Sequence, residues 1–449
     1  MPSSPARRTF PMLLLLTLGL LLGACGPMTP YPTATATASP PTSTPRPTTP
    51  SPPATTTPAA PPSPPAFTTD LDAIDRQVAI LLGIAAPPKV ARVVLSPSAL
   101  AAKASLLAPT PPSPDLTLWT ALDLLPPDDL PDPLFPPPPE QRLAFFAPTE
   151  DTIFLTTESG SRAALNQAYV HAYARALLFH VHALPPCGQD IDRCTAYWAM
   201  AEGYATYAEY LWFSAFGQAM SPPSTPTVSP TPAITPPAIA QWQLFPTLWG
   251  TQFLFGLEQQ GGQGLFSEAF THPPATTAEV MFPTRYPSSP PEEVALPSSQ
   301  ALKGALGTGW EEQGRGDFGA WPLYLMLTAS LQADARLPAD EAAAAVRGWA
   351  GGGWASFRST AGQAAMLADL RWVTGEDTVA FTKAFVRYAR GVYGPLHDRA
   401  YRVLIWQNDG QATVLYYNVG THRTVWATAP TRTQAEALLD ASGVPQAKR

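Results

Sequence analysis

Charge is scarce in this chain. Asp, Glu, Lys and Arg make up only 14% of 449 residues, and 27 basic against 34 acidic side chains leave a formal net charge of −7. There is no broad basic field, which argues against a nucleic-acid partner. So few charges also argue against long-range electrostatic steering, and recognition is left to shape and apolar contact. Cysteine and histidine are scarcer still, at three and six residues. With no second thiol pair and no suitably spaced imidazole beside the first pair, a structural metal site is not expected. Long apolar runs are short here too: Met12–Leu22 cannot span a bilayer.

Proline is abundant, with 56 residues against a usual share of ~5%, so much of the chain lies outside any packed core. Arg7-Arg8, the Met12–Leu22 run and Leu22-Gly23-Ala24-Cys25 resemble a bacterial lipoprotein signal ending in a lipobox. An arginine pair also suits a twin-arginine leader, but two basic residues are what any signal needs. Residues 1–25 are therefore expected to be a signal peptide, with Cys25 the lipidated amino terminus. That assigns the chain to the cell membrane, anchored through lipid on the extracytoplasmic face. Residues 26–68 are Pro, Thr, Ser and Ala with hardly an apolar side chain, too polar to offset the entropy of ordering. At ~3.1 Å per residue such a stalk reaches up to roughly 100 Å. In an oxidising compartment Cys187 and Cys194 predict a local disulfide, free thiols being the alternative. The bridge would close the loop between two helices described next.

The ordered part reads as α+β. Helical spacing is found near Leu71–Leu82, and Lys89–Leu95 reads as a strand followed by a helix start at Ser96-Pro97. Residues 108–139 read as proline-rich loop. Arg142–Ala147 and Thr152–Thr157 predict a β-hairpin that leads into a long helix from Ala163, and a second helix covers Thr195–Ala219. A Pro/Thr/Ser insert occupies 221–238, and Phe245–Gln259 reads as a helix closed by Gly261-Gly262. Residues 69–297 are expected to form one domain and 298–449 a second, α+β domain. In the latter, helices are expected at Gly319–Leu331, Asp340–Trp349, Thr378–Arg390 and Thr433–Ala441, with strands at Arg402–Trp406, Thr413–Asn418 and Thr424–Thr428. Strand-to-helix passages near Leu370–Phe385 and Val425–Leu439 hint at a pseudo-repeat.

The chemistry concentrates in residues 170–206. His171-Ala172-Tyr173-Ala174-Arg175 has the frame of an HExxH helix in which the Glu is Ala172 and the second His is Arg175. In an intact motif the two histidines lie about 40° apart around the axis and ~6 Å along it, so both reach one zinc while the Glu serves as base. Thirty-one residues beyond His171, Glu202 sits in Ala201-Glu202-Gly203-Tyr204-Ala205-Thr206. These segments resemble the HExxHALQDQ and ALxEGxAT motifs of bacterial zincin-like zinc peptidases of the peptidase MA type. Phe245-Pro246, Gly250, Gly261-Gly262, and Pro273-Pro274 with Thr276-Thr277 through Tyr286 extend the likeness over about 142–286.

The resemblance implies a helix-rich zincin-like body, with a hairpin before the former active-site helix, and assigns ligand positions to His171 and Glu202. It does not carry the reaction over. Ala172 cannot accept a proton, and the permanently charged Arg175 has no lone pair to offer. His182 lies eleven positions from His171, roughly 16 Å along the helix, and His180 points to the other side. No metal, cofactor or catalytic residue is therefore expected, and Arg175 is expected to take the place of the ion beside Glu202, with a further hydrogen bond to His171.

The leading expectation is a membrane-tethered pseudoenzyme that binds a peptide or envelope partner. In that reading Tyr169, Tyr173, Trp198, Tyr204 and Tyr207 supply contact area, or else belong to the core. A hydrolase or zinc peptidase with a non-standard site and a purely structural envelope lipoprotein are the alternatives.

Overall fold

The computed structural model describes residues 67–108, 112–113, 115–126, 143–158, 161–182, 184–188, 190–216, 236–287, 291–408 and 410–444. The expected leader with Cys25, the stalk up to residue 66, Arg142 and most of the 221–238 insert lie outside them. The fold is α+β, built as one compact unit, Pro65–Arg449.

Helix α1 (Phe67–Leu81) is followed by strand β1 (Ala91–Val94) and helix α2 (Pro97–Leu107). The Ser96 hydroxyl accepts from the Ala99 N–H and Pro97 occupies the first helical position, where its missing N–H costs nothing. A short helix α3 (Leu116–Ala121), capped by Asp115, interrupts what reads from sequence as loop. β2 (Ala144–Ala147) and β3 (Thr152–Leu155) form the expected antiparallel hairpin, Phe145 facing Phe154, and β1 joins β3 in parallel, so β2 is an edge of this three-stranded sheet.

The hairpin runs directly into helix α4 (Arg162–Val181), whose Ser161 cap accepts from the Ala164 N–H. Helix α5 (Ile191–Phe216) returns along it. Helix α6 (Pro237–Thr271) begins inside the expected insert: Pro236-Pro237 start it, and Gly262, at φ 60°, breaks it where a closing glycine pair was expected. α5 and α6 cross at two glycines. A Cβ on Gly250 would lie 1.9 Å from the Ala199 carbonyl oxygen, and one on Gly203 would lie 2.2 Å from the Gly250 carbonyl carbon. The close crossing fixes the residue next to Gly203, which is Glu202.

Cys187 and Cys194 form a disulfide with Cα atoms 5.0 Å apart. Because α4 ends at Val181 and Cys194 lies in the first turn of α5, the bridge ties the approach to α5 onto α5 itself rather than α4 to α5. Closing so short a loop is worth about 2.5 kcal/mol in the chain-entropy account. Urea unfolding of a Cys187→Ser/Cys194→Ser variant is expected to show a loss of that size.

Helices α7 (Thr277–Met281) and α8 (Ser299–Leu306) lead to a seven-stranded antiparallel sheet. Its strands are β4 (Trp310–Asp317), β5 (Trp349–Ser359), β6 (Ala364–Trp372), β7 (Leu396–Ala400), β8 (Val403–Asn408), β9 (Gln411–Asn418) and β10 (Arg423–Ala429), in the order β4-β5-β6-β10-β9-β8-β7. Helices α9 (Ala320–Ala329) and α10 (Ala339–Val346) precede β5. α11 (Gly375–Tyr393) follows β6, opened by a Thr374/Asp377 capping box, and α12 (Arg432–Ala441) follows β10.

The two expected strand-to-helix passages are present, and their strands pair at the centre of the sheet. Their helices take opposite faces: Phe385 of α11 packs on Trp406 and Trp426, whereas Leu438 and Leu439 of α12 pack with Leu302, Val414, Val425 and Ala427. Alternation along β10 directs Trp426 to one side and Val425 and Ala427 to the other. The expected 297/298 boundary falls within the compact unit, and one apolar core runs from Leu71 to Trp426, including Phe245 against Trp321 at 4.3 Å.

Candidate functional site

α4 and α5 run side by side and bring His171, Arg175 and Glu202 together. The His171 Nε2 lies 2.9 Å from Glu202 Oε2, and its Nδ1 lies 2.5 Å from Glu209 Oε1. Gln167, one turn before His171, donates from Nε2 to the other Glu209 oxygen at 2.8 Å. Arg175, one turn after it, places Nη1 3.4 Å from Glu202 Oε1, and its guanidinium carbon sits 5.1 Å from the centre of the Trp198 ring. Arg175 and Glu202 thus stand within ion-pair distance, although Nη1 itself is buried without a hydrogen bond. The expected bond from Arg175 to His171 is replaced by the two carboxylates on the imidazole, because Glu209 occupies its far side.

These groups are almost sealed: the His171, Arg175, Glu202 and Glu209 side chains are 11–15% exposed. Burial works against a charged imidazole, but the hydrogen bonds and charges of Glu202 and Glu209 outweigh it and hold the His171 pKa well above its ordinary value. Burial likewise works to raise Glu202, and the Arg175 charge, joined by the His171 hydrogen bond, overcomes it and holds that carboxyl below the usual range. With both ring nitrogens within hydrogen-bond distance of carboxylate oxygens, the geometry favours the imidazolium form of His171. The cluster sets His171 and Arg175 against Glu202 and Glu209.

A histidine with a raised folded pKa contributes stability that is fully present below about pH 6.5 and is lost as pH rises through its folded value. The urea midpoint of the native protein is expected to fall as pH is raised above neutrality by more than that of a His171→Leu variant.

The residues do not fit a zinc ion. Arg175 stands where a second imidazole would be needed and places its charge beside Glu202, and Glu202 and Glu209 address opposite ring nitrogens rather than one point. The hollow between the edge strand and the helices, lined by Ala144, Phe145, Phe146, His171, Ala172, Arg175 and Glu202, measures about 20 Å³. That is room for about one water. Among the described residues no group of three or more His, Cys, Asp or Glu side chains is gathered in a manner suited to a metal.

Of the other expected residues, Tyr169, Tyr173, Tyr204 and Tyr207 are at most 3% exposed and belong to the core, so only half-buried Trp198 remains near the surface. His180 pairs with Asp151 at 2.7 Å, and His182 stacks on Phe270 with ring centres 4.3 Å apart, both away from His171. Glu209 is the residue that motif matching overlooked. Its signal was present: it lies seven residues after Glu202, two turns along the same helix face, about 10 Å on.

Residues 307–439 match a sequence family described as "Domain of unknown function (DUF8575)". The match spans β4 to α12 and stops short of the α4–α5 cluster. No curated protein matches the chain. No solved structure matches it either. Among the described residues no helix is long and apolar enough to cross a membrane.

Proposed function

We propose that this chain is a lipid-anchored, extracytoplasmic pseudoenzyme: a zincin-like zinc-peptidase scaffold that has lost catalysis and binds a peptide or envelope partner. The observation that carries the reading is the neutral four-residue cluster at the former metal position. An HExxH enzyme needs two neutral imidazoles, a carboxylate base and space for a metal-bound water. This chain offers one imidazolium, Ala172 where the base would stand, and a guanidinium where the second ligand would stand. Retention of the scaffold without its chemistry favours a binding role.

The edge strand β1 of the three-stranded sheet supports the peptide part of the reading: its Val93 and Val94 are 39% and 49% exposed, and an extended segment can add to an open sheet edge through main-chain hydrogen bonds, whereas the other edge, β2 beside α4, is buried. The hollow at His171 is too small to admit a side chain, so such a segment would not enter the cluster. Lipidation at Cys25 and the polar stalk supply the tether in this proposal.

Metal analysis of purified protein together with a casein-cleavage assay tests it. Substoichiometric zinc after zinc loading and dialysis, with no cleavage, is the expected outcome. One tightly held zinc per chain, accompanied by cleavage that Glu202→Gln abolishes, would refute the proposal and establish a working peptidase.

A further inference from the structure

An edge strand offers unpaired N–H and C=O groups, and folded chains ordinarily blunt such edges by covering them or by placing charge along them. In the three-stranded sheet the edge strand β2 is buried. In the seven-stranded sheet β4 carries Glu311, Glu312, Arg315 and Asp317, and β7 carries His397, Asp398 and Arg399. β1 is protected in neither way. It reads Ala-Arg-Val-Val with both valines exposed, and its one charge, Arg92, is turned onto Asp72 and Asp75 of α1.

Pairing with β3 fixes where the backbone groups of β1 point. The Leu95 N–H donates to the Leu155 carbonyl at 2.8 Å, and along a strand the bonding direction alternates from one residue to the next. Ala91, Val93 and Leu95 therefore bond inward to β3. Arg92 and Val94 direct both their groups outward, to the free edge.

This pattern is complementary to itself. In one continuous antiparallel sheet a twofold axis must pass where a residue faces its own counterpart, because any other register sets paired side chains on opposite faces. Val93 satisfies that condition. With Val93 facing Val93 of a second copy, Arg92 faces Val94 of that copy and Val94 faces its Arg92, each pair exchanging both N–H···O bonds. The two Val93 side chains then form the intervening non-hydrogen-bonded pair, where Cβ atoms approach most closely and two apolar groups cover each other.

We propose that β1 is a self-pairing edge, joining two copies of this chain antiparallel with Val93 against Val93 at the twofold axis. The sheet then runs β2-β3-β1 in one copy and on through β1-β3-β2 in the other. The proposal rests on the reading of β1 as the edge that takes an extended segment, and it names that segment. A strand of four residues is too short for a permanent interface, so the association is weak in free solution. Chains tethered in one membrane plane meet at a raised effective concentration, where a weak edge contact suffices.

Sedimentation of the purified full chain up to about 1 mM, the effective concentration that a short tether provides, tests the proposal. A reversible dimer is expected. Val93→Lys and Val93→Glu are each expected to weaken it about tenfold or more, since like charges then stand directly opposite. An equimolar mixture of the two variants is expected to recover a mixed dimer, because opposite charges then face one another. Val94→Pro removes an outward N–H without touching a bond to β3, so dimerisation is expected to be lost with the urea midpoint largely unchanged.

Oxidative cross-linking checks the register. Facing residues of a non-hydrogen-bonded pair have Cα atoms about 4.5 Å apart, within the span of a disulfide. Val93→Cys is expected to give a covalent dimer, and Leu106→Cys, 80% exposed but outside the strand, only the background of the native chain. A native chain that stays monomeric at about 1 mM, a charge-swapped mixture that stays monomeric, or equal cross-linking at the two positions would each overturn the proposal. Capture of an unrelated extended peptide by a chain that does not dimerise would also overturn it, while leaving the peptide reading standing.

Discussion

Replacing His171 by leucine is expected to lower stability by about 3–5 kcal/mol, as is typical when one member of a buried ionic group is removed. The loss has a specific origin. Glu209 would keep only the Gln167 amide, and Glu202 only the Arg175 guanidinium at 3.4 Å, so two nearly buried carboxylates would be left undercompensated. Replacing all four of His171, Arg175, Glu202 and Glu209 with apolar residues of similar volume is expected to cost far less, because desolvation is then removed along with attraction. The contrast between the single and the fourfold variant, read as urea midpoints at constant slope, separates an ion cluster from simple packing. If the single variant were as stable as the native protein, the imidazolium account would not stand.

The other large effect is expected at the α5–α6 crossing. Gly250→Ala would drive a methyl group to 1.9 Å from the Ala199 carbonyl oxygen, and backbone cannot swing aside as a flexible side chain can. Overpacking of this kind costs about 3 kcal/mol. The separation of the helices would widen next to Glu202, so this variant is expected to weaken the His171–Glu202 contact as well as the fold. A control at Gly264, whose surroundings are open, is expected to change little on substitution by alanine. Equal stability of the two alanine variants would contradict the close crossing.

Where local chemistry determines structure, the elements were legible in the sequence. Ser96-Pro97 announced α2, the Pro148-Thr149-Glu150-Asp151 turn separated β2 from β3, and short runs rich in β-branched and aromatic residues stood at β8, β9 and β10. Elements whose local signals are weak were not. β4 reads Trp-Glu-Glu-Gln-Gly-Arg-Gly-Asp, with two glycines and hardly an apolar side chain, and becomes a strand because it completes the sheet edge beside β5. α3 spans only six residues among prolines and rests on the Asp115 cap and on burial of Leu118 and Trp119.

The site was legible in part for a similar reason. His171, Arg175 and Glu202 fall in a recognisable frame, so their meeting could be foreseen. Glu209 belongs to no motif. It matters because α4 packs against α5 along two turns, which spacing within a single helix does not reveal.

The proposed reading requires a protonated imidazole at His171 beside the Arg175 guanidinium, between α4 and α5. The ¹⁵N resonances of the His171 ring, followed from pH 6 to 9 with and without one equivalent of zinc, test it most directly. The account predicts two protonated ring nitrogens well above about pH 6.5, unchanged by zinc. A neutral ring at pH 7, or a ring nitrogen that shifts on zinc addition into the metal-bound range, would contradict it.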